Sequence, residues 1–212
     1  MVERSRNGER GIEDAVLDAA RDCVLAYGVR RTTVTDVARR AGVSRMTVYR
    51  RWPDAQSLIG DLMTREWQQV LLATTTDEGT GHARSRLVER VVAGARVMRE
   101  HPLLCKIRDV DPEVLIPYLL DRRGAGQEEM LRFLVDAVAH GRADGSVRPG
   151  EAETMARVVL LTTQSFVLSA RIVADGLPAA SLDRELARLV DGYLRPDQNS
   201  SQSIPRMVRG GR

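Results

Sequence analysis

Seven arginines (Arg30, Arg31, Arg39, Arg40, Arg45, Arg50 and Arg51) lie between Gly28 and Pro53 against a single acid, Asp36. A guanidinium can donate two parallel hydrogen bonds to guanine O6 and N7, or pair with phosphate oxygens. A local positive field of this kind attracts a polyanion and gains from counterion release. Charge alone leaves a second reading open, a solvated basic face. The order of residues sorts the candidates further. Arg45, Met46, Thr47 and Arg50 fall where the exposed side of one short helix would meet base edges, with Met46 or Thr47 against a thymine methyl. Thr33, Thr35, Tyr49 and Arg51 suit phosphate contacts, the two threonines through their place near a helix N-terminus. For Tyr49 a packed ring with a wet hydroxyl is the competing reading.

Short helices must position these groups. Ile12, Val16, Ala19, Cys23 and Tyr27 recur every three or four residues and predict a helix from about Ile12 to Tyr27, stopped by Gly28. Thr33 with Asp36 fits a capping box at the start of a second helix that buries Val34, Val37 and Ala38. It ends at Ala41-Gly42; Gly42 permits the tight turn and Ser44 caps a third helix, about Arg45 to Arg51. Val48 and Trp52 point inward there, and Asp54 caps a fourth helix reaching to about Thr74. Val37, Ala38, Val43 and Val48 then form the shared core of a helix-turn-helix, whose third helix fits the major groove of duplex DNA.

The rest of the chain reads as helices and loops, with no alternating run that demands a sheet, so the fold class is all-α. Helices are expected at about 84–99 (stripe Leu87, Val91, Ala95, Met98), 126–140 (Met130, Phe133, Leu134, Ala137 inward), 151–174 and 182–194, with short segments at 103–108 and 113–120. Loops are expected at 74–83 and 141–150, and disorder at 1–10 and in the tail from 196. This gives three units: residues 10–57, residues 58–195, and the tail 196–212.

Residues 12–59 resemble the N-terminal domain of the tetracycline-repressor-like (TetR) family. The matching features are Tyr27-Gly28, Thr33-Val34-x-Asp36-Val37-Ala38, Ala41-Gly42-Val43-Ser44, the run Thr47 to Pro53, and Leu58. One position departs: the family commonly has a backbone-contacting lysine near the start of the fourth helix, where this chain has Ala55 followed by Gln56. Arg51 or the free N–H groups of that helix are expected to replace the charge.

The resemblance implies a larger helical domain that binds an effector and pairs into a homodimer through its last two helices. Val158, Leu161, Thr162, Ser165 and Ser169 on one helix, with Leu182, Leu186, Leu189 and Val190 on the next, have apolar and small side chains at helical spacing. The same pattern serves equally inside a monomer. An effector pocket would draw on Trp67, Met98, Leu103, Leu104, Ile107, Phe133, Phe166 and Arg171, each also readable as core. Asp109 and Asp111 can face a cationic ligand or cap a helix. The implied activity is a repressor of transcription, released from a palindromic operator in double-stranded DNA by an unidentified small molecule. The alternative is a helical sensor or adaptor without specific DNA binding.

Composition narrows the classes. The net charge is +3, yet residues 61–194 carry 17 basic and 20 acidic side chains, so the positive field is local. Two cysteines, Cys23 and Cys105, make no disulfide framework and read as buried thiols in a reducing compartment. A polar N-terminus and the lack of an 18-residue apolar run argue against a secretory leader and a membrane span, which leaves a cytoplasmic protein as the expectation. His82, His101 and His140 are far apart, and neither a metal spacing nor a nucleophile elbow, P-loop or dinucleotide fingerprint occurs. No cofactor and no enzyme activity are expected.

Overall fold

The computed structural model describes residues 2–74 and 81–197, and every regular element among them is helical. The helices are α1 (Val2–Tyr27), α2 (Val34–Ala41), α3 (Arg45–Arg51), α4 (Ala55–Ala73), α5 (Ala83–Glu100), α6 (Pro102–Val110), α7 (Ile116–Leu120), α8 (Ala125–Ala143), α9 (Ala152–Leu168) and α10 (Ala179–Leu194). Single 3-10 turns, Pro112–Val114 and Ala170–Val173, precede α7 and follow α9. Positions 75–80 and 198–212, expected as loop and tail, lie outside the described residues.

Two apolar cores divide the molecule. The first gathers Val16, Ala20, Val24, Val37, Val48, Trp52, Leu58 and Leu62 from α1 to α4, together with Leu103 and Ile107 of α6. The second gathers Leu87, Val91, Met98, Leu104, Leu134, Val138, Met155, Val159, Leu186 and Leu194 from α5 to α10. The boundary expected at 57–58 therefore falls inside α4, which runs unbroken from the first core, at Leu58, into the second, at Val70.

Local differences from expectation have local causes. Helix α1 begins at Val2, where residues 1–10 were expected to be disordered, because adding residues to a formed helix costs far less than nucleating one. Ile12 and Tyr27, at the two ends of its predicted stripe, are exposed. The inward stripe of α8 is Leu131, Leu134 and Val138, one residue on from Met130, Phe133 and Ala137, which only flank the core. The single helix expected over 151–174 ends at Leu168 and continues as the 3-10 turn. Cys23 is buried as expected, whereas Cys105 is half-buried and its Sγ donates to the Arg99 carbonyl at 3.3 Å.

Candidate nucleic-acid interface

Helices α2 and α3 have eight and seven residues, too short to persist alone, and side chains close their N-termini. Thr33 Oγ1 accepts from the Asp36 backbone N–H at 3.1 Å. The Asp36 carboxylate accepts from the Thr33 hydroxyl (2.6 Å) and from Arg39 (2.8 Å). The first half of the capping box is therefore present, and the Asp36 carboxylate returns to the Thr33 hydroxyl instead of to the Thr33 backbone N–H. Gly42 sits at φ 70°, in the left-handed region, and its N–H closes α2 onto the Arg39 carbonyl at 3.3 Å. Ser44 Oγ accepts from the Thr47 N–H at 3.0 Å and starts α3. Asp54 caps α4 through the Ser57 N–H at 2.7 Å, and that hydrogen bond holds its carboxyl below the usual carboxylate range.

Val48 and Trp52 anchor α3 in the first core. The Trp52 indole N–H donates to Asp61 Oδ2 at 2.9 Å, fixing the ring against α4. The outer side of α3 stays uncovered: Met46, Thr47, Tyr49 and Arg50 line one shallow surface depression, and Arg45 is exposed beside it. Met46 is 75% exposed, an expensive placement for a large apolar side chain that has nothing to cover it. The Thr47 hydroxyl lies 2.9 Å from Ser44 Oγ, so its methyl group is the part left for an outside partner.

The arginine cluster separates into two groups. Arg39 pairs with Asp36 (2.8 Å), Arg40 with Asp22 (3.0 Å) and Arg30 with Glu113 (2.8 Å). Arg51 pairs with Glu13 (3.1 Å) and Asp61 (3.3 Å) and lies 5.4 Å from the Trp52 ring. Arg31, Arg45 and Arg50 make no ion pair or hydrogen bond among the described residues. Arg51, expected at a phosphate, fastens α3 to α1 and α4 through its ion pairs with Glu13 and Asp61 while its side chain stays 54% exposed. Glu13 and Asp61 are residues that the sequence reading missed; only their charge, set opposite an arginine-rich helix, signalled them.

The family model for bacterial regulatory proteins of the tetR family matches residues 16–62. An uncharacterized HTH-type transcriptional regulator of Mycobacterium tuberculosis is 39% identical over 179 residues, which cover 84% of this chain and 92% of that protein. The chain belongs to the TetR family. It is a DNA-binding transcriptional regulator. The fold matches QsdR, a TetR-family transcriptional repressor of Rhodococcus erythropolis (TM-score 0.64, 16% identity, 87% of this chain and 96% of that one). It also matches SmeT, the repressor of the Stenotrophomonas maltophilia multidrug efflux pump SmeDEF (TM-score 0.62, 21% identity, 88% and 91%).

The family reading extends unevenly into the larger half of this TetR protein. Of the residues expected to face a second subunit, Val158, Leu161, Ser165, Ser169 and Leu189 are exposed and Thr162 is half-buried. Leu182, Leu186 and Val190 are buried within the chain, because α10 turns that stripe onto α5 and α9. The expected pocket residues do not share one cavity. Leu103 and Ile107 belong to the first core and Met98 and Leu104 to the second. Arg171 is exposed and paired with Asp109 at 2.7 Å, leaving Trp67, Phe133 and Phe166 half-buried at the edge of the second core. No helix of the described residues is long and apolar enough to cross a membrane, and no His, Cys, Asp or Glu group among them is arranged to hold a metal ion.

Proposed function

We propose that this chain is a homodimeric cytoplasmic repressor that reads a palindromic operator with α3 and leaves it when a small molecule binds. The observation that carries the reading is that Arg45 and Arg50 on exposed α3 make no ion pair or hydrogen bond among the described residues, while Arg39, Arg40 and Arg51 pair with the protein's own acids. Bidentate contact with guanine would give those two groups partners, and Met46 with the Thr47 methyl would meet a thymine methyl. Thr33, Thr35 and Tyr49, all exposed, supply phosphate contacts.

Pairing is supported by the uncovered apolar side chains of α9 and α10, among which Leu161 is 69% and Leu189 is 53% exposed. Two α3 helices one turn of duplex apart would read two half-sites, and their linkage multiplies a weak single contact. The repressor role is proposed by analogy with two fold relatives that are repressors, QsdR and SmeT. Effector binding is proposed between α4, α8 and α9. There Trp67 packs against Gly126, and the half-buried Gln127 amide donates to Gln164 Oε1 at 2.7 Å. Few fixed polar groups in an apolar setting are what such sites use.

The test is selection of bound sequences from a random duplex pool with the full chain at near-physiological salt. Enrichment of a palindrome is expected. Binding confined to low salt with no enriched sequence would overturn the reading and leave a helical sensor or adaptor.

A further inference from the structure

Helix α6 stops at Asp111, whose N–H closes the helix onto the Ile107 carbonyl at 2.9 Å. Its carboxylate is not turned to water. Asp111 is 5% exposed, and Oδ2 accepts from the Val29 N–H at 2.7 Å and from the Arg30 N–H at 3.5 Å. These amides belong to the turn between α1 and α2, 82 and 81 residues earlier in the chain. The approach requires glycine: Gly28 has φ 88°, and a Cβ there would stand 2.4 Å from Asp111 Oδ2. The turn is closed on itself as well, by the Thr32 hydroxyl on the Gly28 carbonyl (2.7 Å) and the Thr32 N–H on the Val29 carbonyl (3.1 Å). The next residue is Thr33, the cap of α2. The position of one buried carboxylate therefore sets where α2 begins, and α2 carries α3.

The same helix end is held from the other side. Asp109 takes Arg171 at 2.7 and 3.4 Å, and Arg171 lies in the 3-10 turn that also bears the exposed Ile172 and Val173. Glu113 takes Arg30 at 2.8 Å. We infer that Asp111 is a positioning residue for DNA recognition: it ties the α1–α2 turn to α6 and so makes the placement of α3 depend on the larger half of the chain. This rests on the reading that α3 contacts the operator. Removing a buried carboxylate leaves its backbone N–H donors unsatisfied, which is why the effect should reach beyond the turn.

The test compares the full chain with Asp111→Ala, Asp111→Asn and Gly28→Ala. Amide exchange of residues 28–36 is expected to speed at least about tenfold in Asp111→Ala, less in Asp111→Asn, which keeps one acceptor, and not at all in α5 and α8. The Kd for the duplex enriched by the parent chain is expected to rise at least about tenfold at a temperature well below melting. Leu87→Ala, a core change in α5, serves as the control for lowered stability alone and is expected to leave that Kd within about twofold. Combining Gly28→Ala with Asp111→Ala is expected to weaken binding no further than the worse single change, since both dislodge one contact. Unchanged exchange at 28–36 would overturn the inference, as would faster exchange with an unchanged Kd. So would an equal loss of affinity in Leu87→Ala. If the parent chain enriches no duplex, the DNA reading fails while exchange at 28–36 alone decides whether Asp111 holds the turn.

Discussion

The helices that face outward for DNA and the helices that build the larger half are stabilised in different ways. Helices α2, α3 and α4 each start on a side-chain cap, Thr33, Ser44 and Asp54. Helices α9 and α10, 17 and 16 residues long, start without one. A helix of two turns makes few internal hydrogen bonds, so a cap is a large fraction of its stability; a longer amphipathic helix draws on packing instead. The charged residues divide likewise. Around α3 they leave Arg45 and Arg50 free at the surface, whereas in the larger half Asp183 is buried between Arg99, which its carboxylate contacts directly, and Arg96 at 2.8 Å. The lesson is that the short helices α2 and α3 lean on local caps, whereas α9 and α10 lean on packing.

The sharpest way to break this comparison is to truncate a long-range residue in the first core. Leu103→Ala or Ile107→Ala should destabilise the chain by about 2–5 kcal/mol, read from denaturant unfolding, and weaken DNA binding with it. A cost under about 1 kcal/mol would make the first core self-sufficient without α6. Next in size, Arg45→Ala and Arg50→Ala should each cost about 1–3 kcal/mol in binding the enriched duplex and relax the preference at one position per half-site. Arg51→Ala should leave the base preference intact; a uniform loss of affinity across sequences would mark a phosphate contact, and an unchanged affinity would assign the side chain to Glu13 and Asp61 alone.

Caps sharpen the contrast at a smaller scale. Ser44→Ala should cost about 1 kcal/mol of stability, while Ser181→Ala in α10 should stay within about 0.5 kcal/mol. The smallest effect is one of pH. Burial pushes the His101 imidazole below its ordinary value of about 6.5, outweighing the attraction of Glu66 at 3.3 Å, with Arg21 also opposing the charge. The groups facing it are Glu66, Arg21 and, through Glu66, Arg65. A depressed histidine contributes its stability above the unfolded value, so melting temperature should hold at pH 7.5 and fall as pH drops below about 6.5. His101→Gln should flatten that fall; an unaltered slope would place the titrating group elsewhere.

The parts that were legible in the sequence have a common physical basis. Thr33, Gly42, Ser44 and Asp54 act through backbone groups within three or four residues of themselves, so their roles follow from spacing alone. The stripe Leu87, Val91, Ala95 and Met98 is a single face repeated at the helical period, and all four are buried. Leu182, Leu186, Leu189 and Val190 show the limit. They form one apolar side by periodicity, yet three are covered within the chain and Leu189 is exposed, because which arc of a helix is covered depends on its neighbours. The residues expected around a pocket show the same dependence: Leu103 and Leu104 are adjacent in sequence and lie in different cores.

By itself, the sequence determined the helix-turn-helix, its caps and turn, and the local surplus of arginine that points to a polyanion. Hydrogen bonds over three or four residues and hydrophobic periodicity encode those features without reference to the rest of the chain. Only the tertiary structure decided which arginines are free, that Arg51 is spent on Glu13 and Asp61, and that Asp111 reaches back to Val29. Those facts depend on groups 10 to 82 residues apart meeting within hydrogen-bond distance, and no local pattern records such a meeting.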